Sequence, residues 1–332
     1  MDTSKPPKLD ICLCTHNPDP HLIKRVLGAI AGQDADPERL FLTVVDNAST
    51  PRLDSSILDM VRERGIECQL IREGRLGVVH ARARAIRETG NDLILFVDDD
   101  NELAPNYARI ALRIAEDDPG IGCFGGKLSL PPDVVSPERL NGFIRYLAVR
   151  DDGDLPITRL TPEWGPWEPP GAGAVVRRDL ATLYRERVDS DPRVVELGRR
   201  GKYRLSCGED NLMMRAASQL GLKASYQPDL VLTHHINPAR FKLQYLLRLL
   251  YWYGRSEVLL SHLLGAKLYR PWKRENLLNS LRDLVAQGPT LVNLLCDAAI
   301  NLGKWVEDRR SKAVSHAMLA AANPKTVHVA EE

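Results

Sequence analysis

The chain has 332 residues, of which 44% are hydrophobic and 27% charged, and its formal net charge is +1. That length can bury a large core and fits one large domain with an appendage, or two domains, while the near-neutral charge argues against a nucleic-acid binder driven by bulk electrostatics. The six cysteines form no CxxC pair, the start MDTSKPPKLD has no apolar signal region, and no run of about 18 apolar residues occurs, so the expectation is a reduced, cytoplasmic protein without a membrane span.

The first 130 or so residues alternate two patterns. Apolar runs read as buried strands: LDICLCT (9–15), LFLTVVD (40–46), ECQLIR (67–72) and DLILFVD (92–98). Between them HLIKRVLGAIAGQ, LDSSILDMVRERG and LGVVHARARAIRETG carry apolar residues at helical spacing. Strand–helix alternation with short connections predicts an α/β domain with a mostly parallel, Rossmann-like sheet. Ligands of such sheets bind beyond the carboxyl ends of the strands. Three strands deliver polar residues there: Thr15-His16-Asn17, Asp46-Asn47 and Asp98-Asp99-Asp100.

The acidic triplet poses the main question. Without a partner, each of its three carboxylates would hold its proton more tightly. A polar turn ending a buried strand is the plain reading; a bound cation is the sharper one. The turn CTHNPDP after the first strand has no glycine, and neither GxGxxG nor GxxxxGK[ST] follows a strand. A diphosphate is therefore not held by a glycine cradle. The other way to hold one is a divalent cation on carboxylates, and Mg2+ and Mn2+ favour oxygen ligands and share substrate phosphates.

Four pieces then fall in a telling order. They are ICLCTHN, VVDNAST, GVVHARARAIRETGNDLILFVDDDN and GEDNLMMRAASQLGLKASYQPDLVLTHH. Together, over roughly residues 8 to 236, they resemble glycosyltransferase family 2. The match includes its Thr-x-Asn turn, second-strand aspartate, G-x-x-x-A-R stretch, DxD motif, ED motif, the Arg six residues later and a metal-binding His. Ala83 departs from the pattern, where the family often has Asn after the Arg. The resemblance implies a GT-A catalytic domain over 1–236, with a nucleotide-sugar half to about 130 and an acceptor half over 131–236. A helical extension over 237–332 follows.

Residue roles follow from chemistry and from the resemblance together. Asp46 can accept the N3–H of a uracil ring, or simply form the turn before Asn47. Thr15 and Asn17 border base and ribose. Arg75 and Arg82 are candidate partners for the nucleotide or the acidic cluster, with a solvated helix face as the rival reading of Arg82. On an extended backbone Asp98 and Asp100 point one way. The resemblance implies that Asp100 binds Mn2+ or Mg2+ directly, that Asp98 lies near the ribose or a metal-bound water, and that Asp99 belongs to the nucleotide-sugar site.

Glu209 and Asp210 open a helical pattern. Adjacent helix residues diverge by about 100°, so only one can face an acceptor hydroxyl. The family pattern favours Asp210 as general base and leaves Glu209 near the sugars. Helix capping is the plain alternative. His234 and His235 end a strand-like run and face opposite sides; the motif favours His234 as metal ligand. In EWGPWEPPGAGAVV, Trp164 and Trp167 are candidates to stack on donor or acceptor sugar, and Gly171 and Gly173 allow close backbone approach. The stretch 241–274 is rich in Leu, aromatics and basic residues. It reads as a packed helix, with contact to an anionic membrane at the inner face of the cell membrane as the second reading. Residues 275–310 read as a further helix or pair, and the tail after about 320 as frayed.

The expected function is an inverting, metal-dependent transfer from a nucleotide-diphosphate sugar to a glycan or lipid-linked acceptor hydroxyl. UDP leads, with dTDP and GDP as alternatives. The rival readings are a non-catalytic nucleotide-sugar-binding domain and a sugar nucleotidylyltransferase. The second would need a glycine- and basic-rich loop where CTHNPDP stands.

Overall fold

The computed structural model describes residues 6–201, 204–265 and 291–322, the last nine by backbone alone. The chain divides into two compact units, Met1–Lys242 and Leu243–Glu332.

The four apolar runs form strands β1 (Leu9–Thr15), β2 (Leu40–Asn47), β3 (Glu67–Glu73) and β4 (Leu93–Asp98). β1, β2 and β4 are buried along nearly their whole length, because helices cover both faces of a parallel sheet. Helix α1 (Pro20–Ala31) starts where Asp19 accepts hydrogen bonds from the His21 and Leu22 amides, with Pro20 in the first turn. Its buried side chains Ile23, Val26, Leu27 and Ile30 recur at helical spacing. The pattern over 53–65 yields less helix than its spacing predicts. Asp54 caps a tight 3₁₀ turn, Ser55–Leu58, and only Asp59–Arg62 (α2) is α-helical. Leu58 and Val61, three apart, bury themselves from that geometry. Helix α3 is Val78–Glu88.

Beyond β4 come β5 (Asn101–Leu103), α4 (Tyr107–Asp117), β6 (Ile121–Ser129), β7 (Ile157–Arg159), β8 (Val175–Arg177), α5 (Arg178–Ser190), α6 (Glu209–Arg215) and β9 (Lys223–His234). The sheet runs β3-β2-β1-β4-β8-β6-β9-β5, with β7 paired on β9. Pairing is parallel from β3 through β4, then mixed, because β8 runs antiparallel to both β4 and β6. Register does the positioning. Thr15 lies opposite Asp46, Cys14 opposite Asp98, and Asn101 opposite His234 on the antiparallel β5–β9 pair. The carboxyl ends of β1, β2 and β4 and the end of β9 thus supply the polar residues.

In the second unit, α7 (Leu243–Leu264) packs along α8 (Leu291–Ala322). Arg255 Nη2 meets Glu307 Oε2 at 2.6 Å and Lys304 Nζ meets Glu257 Oε2 at 3.0 Å. Leu246, Leu249, Leu250, Val258 and Leu260 of α7 are buried. Residues 266–274 of the basic stretch, 275–290 and the tail from 323 lie outside the described residues. Among the described residues no helix is long and apolar enough to cross a membrane.

Candidate active site

The acidic triplet is held from several sides. Thr15 Oγ1 donates to Asp99 Oδ2. Asn101 supports the turn, taking the Asp98 N–H on its Oδ1 at 3.2 Å and donating from Nδ2 to Asp100 Oδ1 at 3.1 Å. Arg82 Nη2 lies 3.3 Å from Asp98 Oδ1. His234 Nε2 and Arg240 Nη1 each lie 3.4 Å from Asp100 Oδ2. The triplet is not without partners, and Asp99 and Asp100 respond differently. Burial pushes Asp99 up to about 6, reinforced by Asp100 and Asp98 and opposed by Thr15. Burial would raise Asp100 too, but His234 and Arg240 outweigh it and hold the carboxyl below its ordinary value.

His234 is buried, and its Nδ1 lies 3.2 Å from the Ala148 carbonyl. With the Nδ1 proton on that carbonyl, Nε2 presents a lone pair toward Asp100. With a proton on Nε2 as well, the ring pairs directly with the Asp100 carboxylate; with the ring neutral, the lone pair and the carboxylate oxygen together suit a cation between them. His235 turns to the other side, with Nε2 2.7 Å from Glu102 Oε2. Among the described residues, no group of three or more His, Cys, Asp or Glu could hold a metal unaided. Asp100 and His234 form a two-donor set.

The polar residues at the ends of β1 and β2 are tied into turns. Asp46 is buried; its Oδ1 accepts the Ser49 N–H at 2.9 Å, and its Oδ2 meets Arg72 Nη1 at 2.8 Å and the Leu53 N–H at 3.4 Å. Burial would raise its pKa, yet the Ser49 and Leu53 hydrogen bonds and the Arg72 charge bring it below the ordinary value. Asp46 therefore does organise the turn after β2. Asn17, at φ 49°, accepts the Thr50 N–H on Oδ1 at 2.8 Å, and its own N–H donates to Ser49 Oγ at 2.9 Å. Asn47 bridges to the start of α3, taking the Gly77 N–H at 2.8 Å and donating to the Arg75 carbonyl at 2.8 Å. Arg75 does not reach the acidic cluster. Its exposed side chain pairs with Glu73 at 3.0 Å, two residues away.

Arg82 is not on a solvated helix face. It is 4% exposed, stacked over Phe96 with Cζ 5.2 Å from the ring centroid, and donates from Nη1 to Glu209 Oε1. Glu209 faces inward, its second oxygen taking the Tyr184 hydroxyl at 2.8 Å. Burial raises the Glu209 pKa, against the pull of Arg82. Asp210 points elsewhere and is half-exposed, with Oδ2 accepting the Gly171 N–H at 2.8 Å and Oδ1 its neighbour Asn211's N–H at 3.0 Å.

Gly173 also changes role. At φ +72° it donates its N–H to the Phe96 carbonyl at 2.9 Å and takes the Tyr107 hydroxyl at 2.6 Å; a side chain would run into Leu232 and Tyr107. It closes the packing behind the site, and Gly171 is the glycine that reaches Asp210. Trp164 is 54% exposed with Arg145 over its ring, whereas Trp167 is half-buried, its Nε1 bonded to the Glu163 carbonyl at 3.2 Å.

Sequence reasoning missed several partners. Glu168 is buried and receives Arg215 Nε at 2.9 Å and Asn211 Nδ2, so it anchors α6 from the tryptophan loop. Tyr184 carried no signal. Arg240 follows His234 by six residues, in a turn started by Asn237 and Pro238, and that capping pair was a usable cue.

Residues 10–156 match the Glycosyl transferase family 2 domain. An N-acetylglucosaminyltransferase of Sinorhizobium fredii (strain NBRC 101917 / NGR234) is 30% identical over 128 residues, covering 37% of this chain and 30% of that protein. The chain thus spans under a third of that curated relative. Among solved structures, the mannosyltransferase PcManGT from Pyrobaculum calidifontis, in complex with GDP-Man and Mn2+, superposes with a TM-score of 0.52 at 19% identity, over 99% of this chain and 90% of that one. S. aureus TarS 1-349 gives 0.49 at 15% identity, over 92% of each chain. Residues 10–156 thus carry the match to the family 2 domain, and the architecture around them is the GT-A fold.

Proposed function

We propose that this chain transfers a sugar, with inversion, from a nucleotide-diphosphate donor to an acceptor hydroxyl, using Mn2+ or Mg2+. The observation that carries the reading is the two-donor pair Asp100–His234, set beside Asp98 and separate from the half-exposed Asp210. Two protein donors are too few for a dedicated metal cage. They suit a cation that completes its shell with water and the donor's phosphates. Bound there, the ion would act as a Lewis acid on the diphosphate as it leaves.

The chain's own residues divide the remaining work. Asp98 and Asp99, with Thr15, lie at the ribose and sugar side. Asp46, its charge held by Arg72, accepts from the base, which makes UDP the leading donor. Arg240, beside Asp100, faces the charge that builds on the departing diphosphate. Asp210, fixed by the Gly171 amide, takes the acceptor proton while that oxygen attacks the anomeric carbon from the face opposite the leaving group. Trp164 offers an exposed ring to a sugar of a glycan or lipid-linked acceptor, as in polysaccharide assembly.

A panel of UDP-, GDP- and dTDP-sugars, incubated with Mn2+ and hydroxyl acceptors, tests this through release of the nucleoside diphosphate. Transfer from one donor, abolished by EDTA, is the expected result. Nucleotide binding without release would favour the binding-domain alternative.

A further inference from the structure

Glu209 and Asp210 are adjacent carboxylates at the start of one short helix, and only one of them can face the acceptor. Their local sequence does not decide which; the surroundings of Glu209 do. Arg82 of α3 donates to Oε1 and Tyr184 of α5 donates to Oε2 at 2.8 Å. The other titratable groups bearing on Glu209 are Asp98 of β4, Cys14 of β1 and Asp210 itself. Glu209 is 4% exposed, so removing one of its two donors leaves a buried carboxylate under-satisfied.

Arg82 also faces the donor side. It uses separate nitrogens for Glu209 and Asp98. Gly171 closes the loop: a side chain there would begin 2.5 Å from Arg82 Nη1, and the same residue's N–H holds Asp210. The guanidinium therefore touches the partner of one carboxylate motif and the members of both.

We propose that Arg82 and Tyr184 are positioning residues that keep Glu209 inside the protein, so that Asp210 alone is presented to the acceptor, and that Arg82 ties this arrangement to the donor site through Asp98. The proposal rests on the reading of Asp210 as base. Tyr184 acts on Asp210 only through Glu209, so it touches no substrate.

The test pairs a readout without turnover with one that uses it. The carboxyl carbon of Glu209, assigned in NMR by comparison with Glu209→Gln, is titrated in the wild type and in Tyr184→Phe. The tyrosine hydroxyl stabilises the ionised carboxylate, so its loss raises the midpoint by about one pH unit. Turnover of Tyr184→Phe is correspondingly lowest at acid pH and recovers as pH rises, while donor affinity stays within twofold. A packing defect alone would lower turnover equally at every pH. Arg82→Lys is the second variant, since one ammonium cannot span both carboxylates; it weakens donor binding and turnover together. An unchanged Glu209 midpoint and an unchanged pH profile in Tyr184→Phe would overturn the proposal. If the wild type transfers from no nucleotide sugar, the proposed function fails, and the midpoint alone decides whether Tyr184 and Arg82 hold Glu209.

Discussion

Asp100 Oδ2 and His234 Nε2 lie 3.4 Å apart, joined by the register of β5 against β9 and not by nearness in sequence. Calorimetric titration of UDP into the protein should show tighter binding with Mn2+ than with EDTA. Asp100→Ala and His234→Ala should each remove most of that difference, a loss of about tenfold or more, as expected when a ligand or its support is deleted. His235→Ala should not, because His235 faces Glu102.

A general base contributes about 10²–10⁴-fold to rate. Asp210→Asn keeps the shape and removes the proton acceptor, so steady-state turnover should drop by at least about a hundredfold. The dissociation constant for UDP with Mn2+ should hold within a few-fold. Near-normal turnover would remove Asp210 as the base and leave the fold assignment intact.

Glu209→Ala should read differently, as a stability defect. It strands Arg82 in a buried position, and breaking a buried pair by deleting one partner costs about 3–5 kcal/mol. Urea unfolding should show the midpoint falling by a corresponding amount. Asp210→Ala, at a half-exposed position, should cost far less.

Gly171→Ala places a methyl group 2.5 Å from Arg82 Nη1. Either the guanidinium that holds Glu209 or the backbone N–H that fixes Asp210 must shift. Misplacement by about 1 Å can cost about a hundredfold in rate. Kinetics should show that loss in kcat, with donor affinity less affected.

Asp46 sets an acid limit on stability. Its pKa in the folded protein lies below the ordinary value of 3.8. Between those two values the unfolded chain binds more protons than the folded one, so stability is fully present above 3.8 and is lost as pH falls toward the folded value. Asp46→Asn should flatten the wild-type decline in unfolding free energy below about pH 4. An identical acid slope in both proteins would show that Asp46 is not coupled to folding.

The first half of the fold was legible because parallel strands buried on both faces write continuous apolar runs, and β1 to β4 did so. The helix over 53–65 shrank because Asp54 offers a local cap to a tighter turn, which apolar spacing does not report. In the site, motif order pointed to Asp100 and His234 together, which the β5–β9 register brings into contact. Glu168, Tyr184 and the inward turn of Glu209 were not legible. Each depends on hydrogen bonds between segments far apart in the chain, and polar partners of that kind leave no local pattern. Gly171 and Gly173 could not be told apart, because a glycine that accommodates a positive φ and one that accommodates a close neighbour look the same in a sequence.

The placement of these groups bears on how such a protein can change over time. The Asp100–His234 pair is set by a sheet ladder, where a slip of one residue would put His235 in the place of His234 opposite Asn101. Gly171, which holds Asp210, and Glu168, which anchors the same helix, come from the connection between β7 and β8, where insertion disturbs no strand pairing. On the proposed reading, selection can rework what receives the sugar while the strand ends that would hold the nucleotide stay fixed, so descendants of this chain would diverge in acceptor before they diverge in donor.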